Sequence, residues 1–372
     1  MAKRVYIGVG GKARKVKKIY IGVAGVARKV KKAYIGVGGV ARIFWSGGAL
    51  EYYGVITPLS AGRRSLAAAS VGNCALFGGG YTDSAVSSVV DAYSASLTRS
   101  TPTALSAARY ELAGVSVGSY ALFGGGNTGG SSAYYRSTVV DAYNASLSRT
   151  IPTALSVGRD GLAAAAVGNY ALFAGGYRSA VSSVVDAYSA SLTRSTPGEL
   201  SNTRVSMAAA PVGDYALFGG GENNSDDRVA YVDAYNASLT RSTATNLSAA
   251  RKLLAAAHVG SYALFGGGFS MTSVVDAYDT SLTRTTIDPL SETARNLAAA
   301  SVGTYALFGG GCENITPYRS AVTAYNASLT RTIMTDLSEA RYDLAAASVG
   351  DYALFGGGRG DSASAVVDAY TI

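Results

Sequence analysis

The sequence predicts an all-β fold, a seven-bladed β-propeller, on three observations. Ala-Leu-Phe followed by small residues recurs seven times, with its Leu at Leu76, Leu122, Leu172, Leu217, Leu264, Leu307 and Leu354. The spacings of 46, 50, 45, 47, 43 and 47 residues fit one four-stranded blade and are too long for a leucine-rich repeat. Second, the chain is 48% hydrophobic and only 15% charged, with 46 Gly against 7 Pro, a balance that suits many short strands joined by tight turns. Third, the last copy runs only to Asp368-Ala369-Tyr370-Thr371-Ile372, while a matching fourth segment stands ahead of the first copy.

Along the chain, residues 1–48 carry a shorter period of 14, in Tyr6-Ile7-Gly8-Val9, Tyr20-Ile21-Gly22-Val23 and Tyr34-Ile35-Gly36-Val37. Apolar and basic residues alternate there across Gly turns, which reads as small β-hairpins with one positive face. The first 50 residues hold twelve Lys or Arg and no Asp or Glu, so the net charge of +8 is local and the remainder has 20 basic against 24 acidic residues. Such a segment suits attachment to an acidic partner: a particle protein, a nucleic acid, a teichoic acid or a membrane surface. Trp45-Ser46-Gly47-Gly48-Ala49 marks the boundary, and residues 49–372 form the propeller.

Within each copy four segments are legible: an Ala-rich strand a (Leu-Ala-Ala-Ala-Ser-Val), strand b (Tyr-Ala-Leu-Phe), strand c (Val-Val-Asp-Ala-Tyr), and strand d from Leu-Thr-Arg onward. Small side chains place strand a at the axis, where the blades converge. Gly after the Val of strand a makes the a–b hairpin, and the glycines after strand b allow close backbone approach at a bend. Residues 52–60 match the end of a d segment, so they are expected to complete the last blade and remove an exposed edge.

Cys74 stands where the other copies have Tyr, and Cys312 is the only other cysteine. Two independent thiols are expected rather than a disulfide framework. The first residues have no apolar core of signal-peptide length and the chain has no apolar run long enough to span a membrane, so the expectation is synthesis in a bacterial cytoplasm without a signal peptide.

The recurring order of Arg, a small-residue strand, an aromatic-aliphatic strand ending in Gly-Gly, then Val-x-x-Tyr resembles the kelch repeat, over residues 52–372. Kelch repeats usually place Trp after that Tyr, where this chain has Leu97, Leu147, Leu192, Leu239, Leu282 and Leu329. The 14-residue N-terminal repeats look like those opening some phage and prophage tail-associated proteins of Gram-positive bacteria. Together the resemblances imply a non-enzymatic binding module on a virion or tail-like particle, its propeller recognising a host surface glycan or protein. An intracellular kelch-type scaffold for another protein is the alternative they leave open, and the sequence is compatible with a homo-oligomer.

In antiparallel blades the b–c and d–a loops share one face. The b–c loop varies from five residues (Phe269 to Ser273) to twelve (Asn127 to Thr138), while the a–b and c–d turns stay nearly constant. Variable loops on a rigid frame are the usual carriers of recognition. They hold Tyr81, Tyr134, Tyr135, Arg136, Tyr177, Arg178, Glu222, Asn223, Asn224, Asp226, Asp227, Arg228, Phe269, Tyr318 and Arg319, types that recognise ligands at low ordering cost. Arg63, Arg109 and Arg159 belong to a ring of one arginine per d–a loop, continued by Arg204, Arg251 and Arg341, with Arg295 displaced by one position. They read either as grips for an anionic or sugar ligand or as donors to backbone carbonyls of neighbouring blades. The repeated Asp of strand c, replaced by Thr323 in the sixth copy, reads as structural. No catalytic residues, metal ligands or cofactor are expected, since the single His258 lies in an Ala-rich strand and no phosphate loop or nucleophile elbow occurs.

Overall fold

Each copy folds as one antiparallel sheet because a, b and c are short, apolar and separated by glycine turns. In blade 1 the strands are Ala67–Val71, Cys74–Gly78, Val90–Ser94 and Arg99–Ser100, paired in the order a-b-c-d. The computed structural model describes residues 50–372, apart from 270, 271 and 315, and the backbone of six strands within residues 6–46. Strand a of blades 2 to 7 is Ala113–Val117, Ala163–Val167, Ala208–Val212, Ala255–Val259, Ala298–Val302 and Ala345–Val349. These seven strands neighbour one another in a closed circle, blade 7 beside blade 1. The fold is a seven-bladed β-propeller, and Tyr52–Thr371 form one compact unit.

Strand a alternates: Ala67, Ala69 and Val71 are buried, whereas Ala68 and Ser70 are half-buried and help line the axial channel. Strands b and c are covered on both faces by neighbouring blades, which is why they read as continuous apolar runs. Ala75, Leu76, Phe77, Ala92 and Tyr93 and their counterparts have almost no exposure. In every blade the Phe of strand b meets the Tyr of strand c edge-on, as Phe77 and Tyr93 do at 5.9 Å between ring centres. The Tyr hydroxyl then donates to a carbonyl of the preceding blade's outer segment: Tyr143 to Thr103 O at 2.8 Å, Tyr93 to Thr57 O at 2.8 Å.

Strand d is shorter than expected, two to four residues beginning at Arg. In blade 2 the Asn144 side chain accepts from the backbone N–H of Ser146 and Ser148, at 3.0 Å each, and Leu147 takes a φ of 62°. The intended start of the strand is therefore held as a turn. The outer strand of blade 7 is Glu51–Ile56, beside Val367–Thr371. Tyr52 Oη donates to Asp368 at 2.7 Å, and Ile56 and Leu59 pack with Val367 and Ala369.

The repeated arginines lie in this core. Arg63, Arg109 and Arg159, considered above as ligand contacts, have no exposure, as do Arg204, Arg251 and Arg341, so no ligand on the face can touch them. Each guanidinium reaches under its own blade to the Asp of strand c: Arg63 to Asp91 at 2.8 Å, Arg251 to Asp276 at 2.8 Å, Arg341 to Asp368 at 2.7 Å. The carbonyl acceptors also belong to the same blade rather than to a neighbour: Arg159 Nη1 donates to Gly175 O at 2.7 Å and Val184 O at 2.6 Å. Neighbouring blades meet instead at the arginine's own backbone carbonyl, which accepts from a glycine of the preceding blade, Gly80 N to Arg109 O at 2.8 Å and Gly358 N to Arg63 O at 2.8 Å. This approach explains the glycine run: a Cβ on Gly79, whose φ is +69°, would stand 2.5 Å from Arg109 O.

Cys74 and Cys312 are both free thiols. The only helical turn among the described residues is Ala133–Tyr135, and none of their helices is long and apolar enough to cross a membrane. In the N-terminal unit Tyr6–Val9 pairs with Lys12–Lys15, Tyr20–Val23 with Val26–Lys29, and Lys32–Val37 with Val40–Ser46. Three hairpins thus follow the 14-residue period. The expected positive face of these hairpins concerns side chains that lie outside the described residues.

Candidate functional site

Two residues beyond each core arginine position the backbone enters the left-handed region. Ser65, Glu111, Gly161, Ser206, Leu253, Asn296 and Asp343 all have φ between 52° and 58°. Their main chains form a closed circle of hydrogen bonds, each N–H donating to the carbonyl of the preceding blade's member: Glu111 N to Ser65 O at 2.9 Å, Gly161 N to Glu111 O at 3.0 Å, and so on to Ser65 N to Asp343 O at 2.9 Å. The frame uses backbone alone, so it is indifferent to which side chain it carries. Six of the seven nevertheless keep a side chain, in a conformation that disfavours non-glycine residues by about 1–2 kcal/mol.

All seven residues line a cavity of about 520 Å³ at the mouth of the channel, together with Leu66, Leu112, Leu254 and Met207 beneath them and Tyr110, Asn127, Arg136, Asp160 and Tyr177 around them. The residue before each ring member pairs with the first residue of its own blade's b–c loop, Arg64 with Tyr81, Tyr110 with Asn127, Asp160 with Tyr177, Lys252 with Phe269 and Tyr342 with Arg359. Three side-by-side positions per blade, different from copy to copy, are thus gathered on one face of a frame that repeats almost unchanged.

The mouth is rich in carboxyls. Asp160 pairs with Arg136 Nε at 2.6 Å and accepts from Asn127 Nδ2 at 3.2 Å. Asp343 accepts from Asn296 Nδ2 and, at 3.3 Å, from Ser65 Oγ, with Arg64 3.7 Å away. Burial pushes both acids above the usual carboxylate range despite these partners. The Glu111 carboxyl opens to the cavity and has no hydrogen bond or ion pair among the described residues. Crowding by protein, then the charges of Asp160 and Asp343, push it up to about 7.

Folded Glu111 therefore holds its proton to higher pH than the unfolded chain, and its contribution to stability falls as pH rises from about 4.5 to about 7. Glu111→Gln is expected to melt with the wild type below pH 4.5 and above it at pH 8. A Tm difference that is the same at both pH values would refute this.

Of the residues proposed from sequence, Arg136 and Tyr177 reach the mouth, with the Arg136 guanidinium 5.5 Å from the Tyr177 ring centre. Asp226, Arg228 and Phe269 line a separate cavity of about 310 Å³ with Glu222 and Lys252, and Arg295 lies 4.5 Å over the Phe269 ring. Asn223 accepts from Ser225 N and Asp227 N and shapes that loop, and Asn224 Oδ1 accepts from Val181 N at 2.7 Å. Tyr81 packs on Tyr110 at 5.6 Å, and Tyr318 stacks on Tyr342 at 5.5 Å. Arg319 pairs with Glu313 and Glu292, while Arg178 is exposed. Tyr134 and Tyr135 stand outward, 91% and 42% exposed. The ring itself is not among the residues expected from sequence. Its signal was present as a position that differs in every blade except for the Ser shared by two, inside a segment that otherwise repeats.

His258 lies on the far part of the channel, its Nδ1 3.0 Å from Ser301 Oγ, with burial lowering its pKa. No protein-family model matches the chain, and no curated protein matches it.

Proposed function

We propose that the propeller is a non-enzymatic binding module whose ligand sits on the face that carries the mouth ring and the b–c loops. The observation that carries this reading is the concentration of blade-to-blade differences on that face, over a frame held by backbone bonds and buried ion pairs. The module is carried by a virion or tail-like particle of a phage or prophage, made in a bacterial cytoplasm and attached through the basic repeats of residues 1–48. Its ligand is a host surface glycan. The support for the particle is the likeness of the blades to kelch repeats and of the 14-residue repeats to tail-associated segments. A second reading, a kelch-type scaffold for a protein partner, is favoured by the outward Tyr134 and Tyr135, residues of the kind that anchor protein interfaces.

The test is binding of the fluorescently labelled full-length chain to Gram-positive cells and their purified wall carbohydrates. Saturable binding is expected, with a loss of about tenfold or more for Tyr177→Ala. Binding to none of these surfaces, with a soluble protein partner recovered instead, would replace the particle reading with the scaffold.

A further inference from the structure

The mouth ring is asymmetric in its chemistry. Four consecutive blades, 6, 7, 1 and 2, contribute Asn296, Asp343, Ser65 and Glu111, an unbroken hydrogen-bonding arc. The opposite side is Gly161, which leaves a gap, then Ser206 and Leu253, and the floor beneath is apolar all round, Leu66 and Leu112 under the arc as Met207 and Leu254 under the other side. Within the arc, Asp343 is tied to Asn296 and Ser65, which fixes three side chains in place. Glu111 is the member of the arc whose side chain makes no hydrogen bond among the described residues, so its whole carboxyl is open to the cavity.

From this geometry we infer that the mouth takes a neutral hexopyranose end unit of a glycan, its hydroxyl edge on the Asn296–Glu111 arc and its C–H face toward Leu253. The inference rests on the binding role proposed above and adds the ligand's chemistry. A pyranose has one edge rich in hydroxyls and faces made of C–H groups, so it matches a site with a polar arc on one side, Leu253 across from it and an apolar floor. The cavity volume of about 520 Å³ lies within the range of small-ligand sites, roughly 300–1,000 Å³. A circular opening bounded by seven fixed main chains admits the end of a chain rather than its middle. Glu111 can serve a hydroxyl either way, accepting when ionised and donating when protonated. Around pH 7 both forms are populated.

The test is saturation-transfer NMR on the full-length chain with glucose, galactose and mannose, beside glucosamine as a cationic control and glucuronate as an anionic one. Transfer to at least one neutral hexose is expected, strongest at its ring C–H protons. Glu111→Ala and, independently, Leu253→Ala should each reduce it about threefold or more, with the unfolding midpoint serving as the control for folding. No transfer to any neutral hexose, or transfer unchanged in both variants, would overturn the inference. So would glucosamine bound in preference to glucose and more so at pH 8 than at pH 6, since the mouth would then select a cation. If the wild type still binds wall material in such a case, the binding role survives and only the ligand class has failed.

Discussion

Replacing Arg159 by Met while Asp186 stays in place is expected to lower the unfolding free energy by about 3 kcal/mol, the low end for a broken buried pair, because it leaves the buried carboxylate with the partly exposed Arg194 as its remaining cation. Both side chains are fully buried, and Asp186 also accepts from Ser156 N at 3.0 Å and pairs with Arg194 at 3.0 Å. Blade 6 shows how the chain removes such a pair without that penalty. Ala294 occupies the arginine position and Thr323 the aspartate position; Thr323 Oγ1 still accepts from Ser291 N at 3.0 Å, and a cavity of only about 10 Å³ remains beside them. The double replacement Arg159→Ala with Asp186→Thr is accordingly expected to recover at least half of the loss, read from urea midpoints. A double variant less stable than Arg159→Met would sink this account, as would a single variant as stable as the wild type.

A chain that begins at residue 57 is expected to lose cooperative folding, or to melt on the order of 10 °C lower and aggregate, whereas a chain that begins at residue 50 should melt with the full-length protein. The shorter chain leaves Val367–Thr371 as an open edge, removes the Tyr52 to Asp368 bond and removes Ile56 from its cluster. Burial of one such side chain is worth roughly 1.5–3 kcal/mol, and the unpaired carbonyls add to it. Thermal melts followed by circular dichroism decide the matter, and equal transitions for the two chains would show that the strand is dispensable.

The blades were legible because their glycines, small residues and apolar runs sit at fixed offsets, and each has a local physical cause. The closing strand was legible for the same reason, as a fourth segment displaced to the front of the chain. The arginines were harder. Their place just ahead of strand a reads as loop, and nothing within one copy says that the side chain turns inward. Only the sixth copy, where Arg and Asp depart together, ties Arg63 to Asp91 and their counterparts. The mouth ring was not read at all, because Ser65, Glu111, Gly161, Ser206, Leu253, Asn296 and Asp343 share no side-chain chemistry. What they share is a backbone angle and a place in a circle of hydrogen bonds, neither of which has a residue signature.

That circle also bears on how such a chain can change. Its links join consecutive main chains and close after seven, so a copy gained or lost by recombination between these near-identical repeats would require every link to re-form at a new angle. Exchange of one repeat for another keeps the number and leaves each link as it was, while it moves a different side chain to the opening. The repertoire open to the molecule is therefore combinatorial in its blades but fixed in their count. New mouths arise by shuffling, and the ring that holds them does not have to be invented again.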